Sequence, residues 1–205
     1  KTKHRSAAGS ALVLSALICC VCGSRDPSGR VAATYDKKTG RLTLLKYDAN
    51  HNGVFDTFSY MDGSTIEHIE IDSNEDGRID RWEYYDRSRR LTRLGLSSRG
   101  DGIADTWQYL GADGTPSKVE ISTKRDGKIN RVEYYESGVL TRAEEDVDSD
   151  GKTDKWETYD RERLTSVAFD ESHTGQPTRR LLYGPDGGVT VEVDPSGSAQ
   201  WRVAR

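Results

Sequence analysis

Two stretches of this sequence place oxygen-bearing side chains at identical relative positions. Counting from Asp72, an acid or amide stands at positions 1, 3, 5 and 9 (Asp72, Asn74, Asp76, Asp80) and a glutamate, Glu83, at position 12. Counting from Asp146, the same five positions hold Asp146, Asp148, Asp150, Asp154 and Glu157. Position 6 is glycine in both, Gly77 and Gly151. This spacing suits Ca²⁺, which takes about six to eight hard oxygens. In a tight loop, alternate side chains point inward, so positions 1, 3 and 5 converge. Position 7 adds a backbone carbonyl, that of Arg78 or Lys152, and the final glutamate can chelate with two oxygens.

Both stretches resemble the EF-hand loop at every diagnostic position. The surrounding sequence does not allow helix–loop–helix units. Related loops start at Asp48, Asp72, Ser97, Ser122, Asp146 and Asp170, spaced 24 or 25 residues apart, with glycine at position 6 each time (Gly53, Gly77, Gly102, Gly127, Gly151, Gly175). A loop of twelve leaves about twelve residues per period, and two helices with a linker need more. The arrangement is similar to thrombospondin type 3 and other Asp-rich repeats, which use such loops without the helix pair.

The loops differ in ligand quality. Loop one offers Asp48, Asn50, Asn52, the Val54 carbonyl and Asp56, but has Ser59 at position 12. Loops three and four carry Arg99 and Lys124 at position 3, where a cation repels Ca²⁺ and is expected to pair with Asp101/Asp105 and with Asp126/Glu133. Loop six, with Asp170, Ser172 and Thr174, is almost uncharged at its ligand positions. Two good sites, one fair one and three vestigial ones are expected.

Strands must hold these loops. Positions 11 and 13 read Phe58/Tyr60, Trp82/Tyr84, Trp107/Tyr109 and Val132/Tyr134, and the residues three and one before the loops read Leu45/Tyr47, Ile69/Ile71, Leu94/Leu96, Val119/Ile121 and Val167/Phe169. A spacing of two in aromatic and β-branched types predicts strands with one buried face. Repeat four interrupts the pattern with Ala143 and Glu145. Asp62-Gly63, Asp113-Gly114 and Ser137-Gly138 supply the turns. The expected fold is all-β: an antiparallel meander of tandem 24–25-residue hairpins over residues 33–194, closed by the hairpin Leu181–Val193 and followed by a tail, 195–205.

Tyr35-Asp36, Tyr85-Asp86 and Tyr159-Asp160, each followed by Leu-Thr (Leu42-Thr43, Leu91-Thr92, Leu164-Thr165), resemble the YD repeats of Rhs-type surface proteins. Those form hairpin shells, and this array is too short to close one. Residues 33–194 as a whole resemble bacterial repeat lipoproteins that combine Asp-rich calcium loops with Tyr-Asp hairpins. The resemblance implies architecture and leaves activity open.

Composition narrows the classes. Of 205 residues, 34% are hydrophobic and 31% charged, and mean hydropathy is −0.78, so core material is sparse. Lys1, Lys3 and Arg5 precede the apolar run Ala11–Cys22, the pattern of a secretory signal helix over residues 1–23, with 24–32 as a linker. Leu17-Ile18-Cys19-Cys20 resembles a lipobox with Cys20 as the lipidated residue, giving a membrane lipid anchor; Cys19 departs from its usual small residue. The alternative is ordinary signal-peptidase cleavage after Gly23, giving a secreted form. Losing the three basic residues takes the formal charge from −4 to −7, and such an acidic body argues against nucleic acid.

All three cysteines (Cys19, Cys20, Cys22) lie in this leader, so neither a disulfide framework nor a cysteine zinc site is expected in the body. No nucleophile elbow is present, and an enzyme is not expected; a hydrolase using two of the many carboxylates is the catalytic alternative. The leading expectation is an exported, Ca²⁺-binding scaffold that binds a protein or glycan partner. A Ca²⁺-responsive sensor, or an inhibitor-like partner of a secreted protein, is the other reading. Cys20→Ser should move the protein from the membrane to the soluble fraction; a parent that is already soluble and begins at Ser24 selects the unlipidated alternative.

Overall fold

The structure, a computed structural model, describes residues 29–204. The leader, with its expected signal helix and Cys20, lies outside them. Fifteen strands form one open antiparallel sheet in which each strand pairs only with its neighbours in the chain. The first eight are β1 (Val31–Tyr35), β2 (Leu42–Tyr47), β3 (Thr57–Asp62), β4 (Thr65–Ile71), β5 (Arg81–Tyr85), β6 (Leu91–Leu96), β7 (Thr106–Leu110) and β8 (Pro116–Ile121). There follow β9 (Arg131–Glu136), β10 (Val139–Glu145), β11 (Lys155–Asp160), β12 (Arg163–Phe169), β13 (Arg179–Tyr183), β14 (Val189–Val193) and β15 (Arg202–Val203). No helix occurs among the described residues, so the all-β meander is as expected. The sheet begins before residue 33, and the segment read as a tail supplies β15, which pairs with β14 through Val193 and Arg202.

The alternation of long and short connections gives the sheet two unlike rims. All the Asp/Gly loops emerge at one rim, between β2 and β3, β4 and β5, and so on. The tight turns lie at the other. There a register shift recurs next to the turn, as between Tyr84 and Tyr85 or Thr158 and Tyr159. At most of these bulges a hydroxyl fills the gap, as where Thr92 Oγ1 donates to the Tyr84 carbonyl at 3.1 Å and Thr165 Oγ1 to that of Thr158 at 3.0 Å; the β3–β4 bulge has Glu67 there instead. Asp36 and Asp86 cap their turns by accepting backbone N–H bonds from Thr39 and Ser88. The Tyr-Asp…Leu-Thr pattern therefore spells out a turn cap and a bulge plug.

The expectation of one buried face needs correction. Directly paired residues share a face, and Phe58 pairs with Glu70 and Tyr60 with His68, whereas Ile69 and Ile71 pair with Ser59 and Thr57. The two apolar stripes therefore lie on opposite faces of a single layer. Only Ala143 and Val167 are buried hydrophobic residues among those described. Among the described residues no second layer covers either stripe, and cross-strand neighbours do the stabilising, at about 0.2–1 kcal/mol per pair.

One face carries a ladder that alternates ring and cation. Tyr60 stacks on His68 with ring centroids 4.3 Å apart, and His68 on Tyr84 at 5.4 Å. Arg93 lies 4.0 Å over Tyr84 and 4.5 Å over Trp107, Lys118 4.1 Å over Tyr109, and Arg142 3.7 Å over Tyr134. Each cation covers part of a ring that a missing layer would otherwise bury. Gly95 pairs with both Trp82 and Trp107, whose ring centroids lie 6.0 Å apart. A β-carbon at Gly95 would come within 2.5 Å of the Trp107 ring. Gly95→Ala should therefore displace the indole and lower the melting temperature, at a cost of about 1–3 kcal/mol. Near-UV circular dichroism of the tryptophans and thermal melts check this; an unchanged melt means that Trp107 has another place to go.

Candidate functional site

The best-buried polar groups of the molecule line the loop rim. Eleven polar or charged side chains are buried among the described residues, and all but Glu157 stand at position 1 or 9 of a loop: Asp48, Asp56, Asp72, Ser97, Asp105, Ser122, Asp154, Asp170, Thr178 and Asp194. The backbone explains their placement. The N–H of position 9 donates to the carbonyl just before its own loop, as Asp154 to Glu145 at 2.9 Å. The N–H of position 1 donates to the position-9 carbonyl of the previous loop, as Asp170 to Asp154 at 2.8 Å. This pairing prolongs the ladder across the rim and draws those residues under their loops. Asp194, 24 residues after Asp170, does the same towards Thr178 at 2.7 Å, so a seventh loop exists that the glycine pattern hid, because Ala199 replaces glycine at position 6.

Inside each loop the side-chain oxygens accept the amides that the ladder has released. In loop five, Asp146 accepts from Ser149 N–H (2.6 Å) and Gly151 N–H (2.9 Å), Asp148 from Asp150 N–H (3.1 Å), and Asp150 from Lys152 N–H (2.8 Å). Loop two repeats this: Asp72 takes Gly77 N–H, Asn74 takes Asp76 N–H and Asp76 takes Arg78 N–H. Loop one does so with Asp48, Asn50 and Asn52, the last accepting from Val54 N–H. Position 9 ties down the entry: Asp56, Asp80 and Asp154 accept the N–H of Ala49, Ser73 and Val147 at 2.8–2.9 Å. Positions 4 and 6 both turn with positive φ, 69° at Ser149 and 89° at Gly151, so glycine at position 6 avoids a penalty that a side chain would incur.

The loops part company in their charge. In loop five the carboxylate oxygens of Asp146, Asp148 and Asp150 lie within 4.8 Å of one another, a hard-oxygen set suited to a divalent cation. Loops three and four have a hydroxyl at position 1 where loop five has a carboxylate. There Ser97 and Ser122 donate their hydroxyls to Asp101 (3.1 Å) and Asp126 (3.0 Å) and accept those residues' N–H in return. Arg99 stands 3.9 Å from Asp101, but Lys124 reaches Ser149 of the next loop at 2.7 Å instead of Asp126 or Glu133. Loop six closes on the hydroxyl of Ser172.

Glu83 and Glu157, expected as position-12 ligands, take neighbours on and beside their own strands. Both lie within a strand, where alternation puts them on one face with the second residue on either side. Glu83 takes Arg81 and Tyr85 as partners. Glu157 takes Lys155 (2.7 Å), Tyr159 (2.9 Å) and, from two strands away, Arg131 (2.7 Å). Arg131 also holds Glu133 at 2.9 Å and Glu145 at 3.2 Å. Its guanidinium can cross β10 because Ala143, paired with both Glu133 and Glu157, is small. The residues that broke the apolar pattern, Ala143 and Glu145, thus serve this cluster. A cation two before and a tyrosine two after the glutamate were the readable signal for it.

Charge states follow from these contacts. Burial pushes Glu157 up, but hydrogen bonds from Lys155, Arg131 and Tyr159 outweigh it and hold its pKa at about 2. Asp170 is also pushed up by burial and held at about 2 by the Ser172 hydroxyl and by the N–H groups of Ser172, Gly175 and Thr174. Tyr135 is pushed up to about 12 by burial and by its bond to Glu133.

No protein-family model matches the chain, and no curated protein does. Two solved structures are similar over part of their length. One is the crystal structure of a GtfA/B complex bound to UDP and GlcNAc, at 13% identity and a TM-score of 0.38, covering 51% of this chain and 21% of that one. The other is accessory secretory protein 1,2 and 3 in Streptococcus pneumoniae, at 11% identity and a TM-score of 0.26, covering 69% and 19%. The chain spans about a fifth of each, and at these scores neither match bears on its activity.

The depressed carboxylates set an acid limit. A folded pKa of about 2, below ordinary values of 4.5 for Glu157 and 3.8 for Asp170, means stabilisation that is complete above those values and is lost as pH falls towards 2. Glu157→Gln should lower the melting temperature at pH 7, by about 1–3 kcal/mol of stability, and make the decline below about pH 4.5 shallower. Melts from pH 7 to 2 check both; equal curves for parent and variant refute a stabilising cluster.

Proposed function

We propose that this chain is an exported Ca²⁺-binding β-repeat scaffold that presents its ring-and-cation face to a protein or glycan partner. The observation that carries the metal half is the convergence of Asp146, Asp148 and Asp150 in loop five. Three carboxylates this close repel one another, and their backbone bonds offset that only in part. Loop two offers the same positions with one amide, Asn74, and loop one the same trace with Asn50 and Asn52. The remaining described loops use hydroxyls or adjacent cations where these use acids. In this reading the ligands are the oxygens of positions 1, 3 and 5 with the position-7 carbonyls of Val54, Arg78 and Lys152, and the last sites are filled by water.

The partner half rests on the open face. Tyr60, Tyr84, Tyr109 and Tyr134 stand in one row across it with Arg93, Lys118 and Arg142, and Trp82 and Trp107 in the row beside it, all half-buried. Flat rings with a polar partner suit sugar faces and protein surfaces alike. Export, with anchoring through Cys20, rests on the leader and places the loops where Ca²⁺ is abundant.

Extracellular Ca²⁺ modules often have dissociation constants of roughly 10⁻⁴–10⁻³ M, and a site at ten times that concentration gains about 1.4 kcal/mol. Millimolar Ca²⁺ should therefore raise the melting temperature over that in chelator. Asp76→Ala and Asp150→Ala should each remove part of the rise, and Asp126→Ala should leave it intact even if it weakens loop four. A parent melt that chelator does not move, or a rise that Asp126→Ala abolishes and Asp150→Ala does not, overturns the assignment.

A further inference from the structure

In loops two, five and six the side chain at position 4 is an arm that meets the loop before it. Glu75 of loop two accepts the side-chain amides of both Asn50 and Asn52 in loop one. Ser149 of loop five meets Lys124 of loop four. At the next junction the arm is an imidazole. His173 of loop six puts Nδ1 3.1 Å from Asp148 Oδ2 and 3.9 Å from Asp154 Oδ1. The three donor atoms lie within 4.8 Å of one another.

Asp154 supplies a separate observation. It is 9% exposed, and its Oδ2 accepts the N–H of Val147 at 2.8 Å and of Asp148 at 3.3 Å. Its Oδ1 is buried with no hydrogen-bond partner, and that is the oxygen turned towards His173. A buried carboxylate oxygen without a partner is costly and is rarely left so. Its equivalents differ: Asp56 Oδ1 and Asp105 Oδ1 accept the hydroxyls of Thr57 and Thr106, and at position 155 the chain has lysine, which turns to Glu157. The site is also held in place. Lys152 Nζ donates to the His173 carbonyl at 2.9 Å, and His173 keeps a φ of 56°.

We infer that loops five and six together form a transition-metal site that takes Zn²⁺, or a similar borderline-soft ion, through His173 Nδ1, Asp148 Oδ2 and Asp154 Oδ1. An imidazole nitrogen with two carboxylates is a zinc donor set, whereas Ca²⁺ takes oxygen alone. Donors about 2.0–2.2 Å from a tetrahedral ion stand roughly 3.3–3.5 Å apart, between the two distances observed. The half-exposed Asp148 and the exposed imidazole can make the small adjustment, and a water fills the fourth position. The inference shares Asp148 with the calcium reading of loop five but does not rest on it, since Asp146 and Asp150 have no part in it.

The test is calorimetric titration of the protein with Zn²⁺ alone and, separately, with Ca²⁺. The parent should bind one Zn²⁺, with His173→Ala weakening it by about tenfold or more while Ca²⁺ binding stays. Asp150→Ala should do the reverse. Failure of the calcium reading alone would show as Zn²⁺ binding without Ca²⁺ binding. No Zn²⁺ uptake by the parent, or uptake lost in Asp150→Ala and kept in His173→Ala, overturns the inference. Should His173→Ala unfold, Co²⁺ added to the parent decides: paramagnetically shifted His173 ring protons support the site, and unshifted ones refute it.

Discussion

An amide that leaves a β-ladder must find another acceptor, and along the loop rim that acceptor is a side-chain oxygen. Each loop releases several N–H groups over a few residues, and in loops one, two and five the side chains at positions 1, 3, 5 and 9 take them one by one. Asp48, Asp72, Asp146 and Asp170 each serve the N–H of position 6, at 2.5–2.9 Å. Ser97 and Ser122 serve the N–H of position 5 instead, so an oxygen at position 1 has a backbone role before any ion is considered. The same bonds fix the direction in which the remaining lone pairs point, so a chain that satisfies its own loops arrives with oxygens already gathered.

The sheet between the rims works under a second constraint, since no layer covers it among the described residues. Paired residues must shield one another, and the two faces do it differently. One interleaves rings with guanidinium and ammonium groups. The other sets aliphatic side chains of the returning strands against Ser59, Glu83, Gln108, Glu133 and Glu157 of the outgoing ones. Where those are acids, a cation and a tyrosine flank them on the same strand. Charged residues therefore take the place that hydrophobic ones hold in a two-layer fold, consistent with their near equality in composition.

Much of this was legible in the residues themselves. The 24–25-residue period, the loops, the hairpins and the all-β class follow from glycine spacing and period-two patterning. What patterning could not settle was the pairing of strands, and pairing decides faces: Ile69 sits opposite Ser59 and not Tyr60, so the stripes separate. For the same reason Glu83 and Glu157, which match a loop template in one dimension, belong in three dimensions to their strand neighbours. The arm at position 4 was invisible because it acts between repeats, although His51 and His173 share that position. Asp194 was not legible from the glycines, because Ala199 stands at position 6 of its loop, although the aspartate spacing continues.

Pairing confined to consecutive strands also governs how such a chain can be assembled and altered. No strand waits for a distant partner, so the entropic cost of closing each hairpin is alike along the chain, and order can spread outward from any one of them. Evolution can then lengthen or shorten the protein by whole repeats, each adding two strands and about 10 Å of sheet width, without disturbing the remainder. Among the described residues the sheet is bordered by β1 and by the two-residue β15.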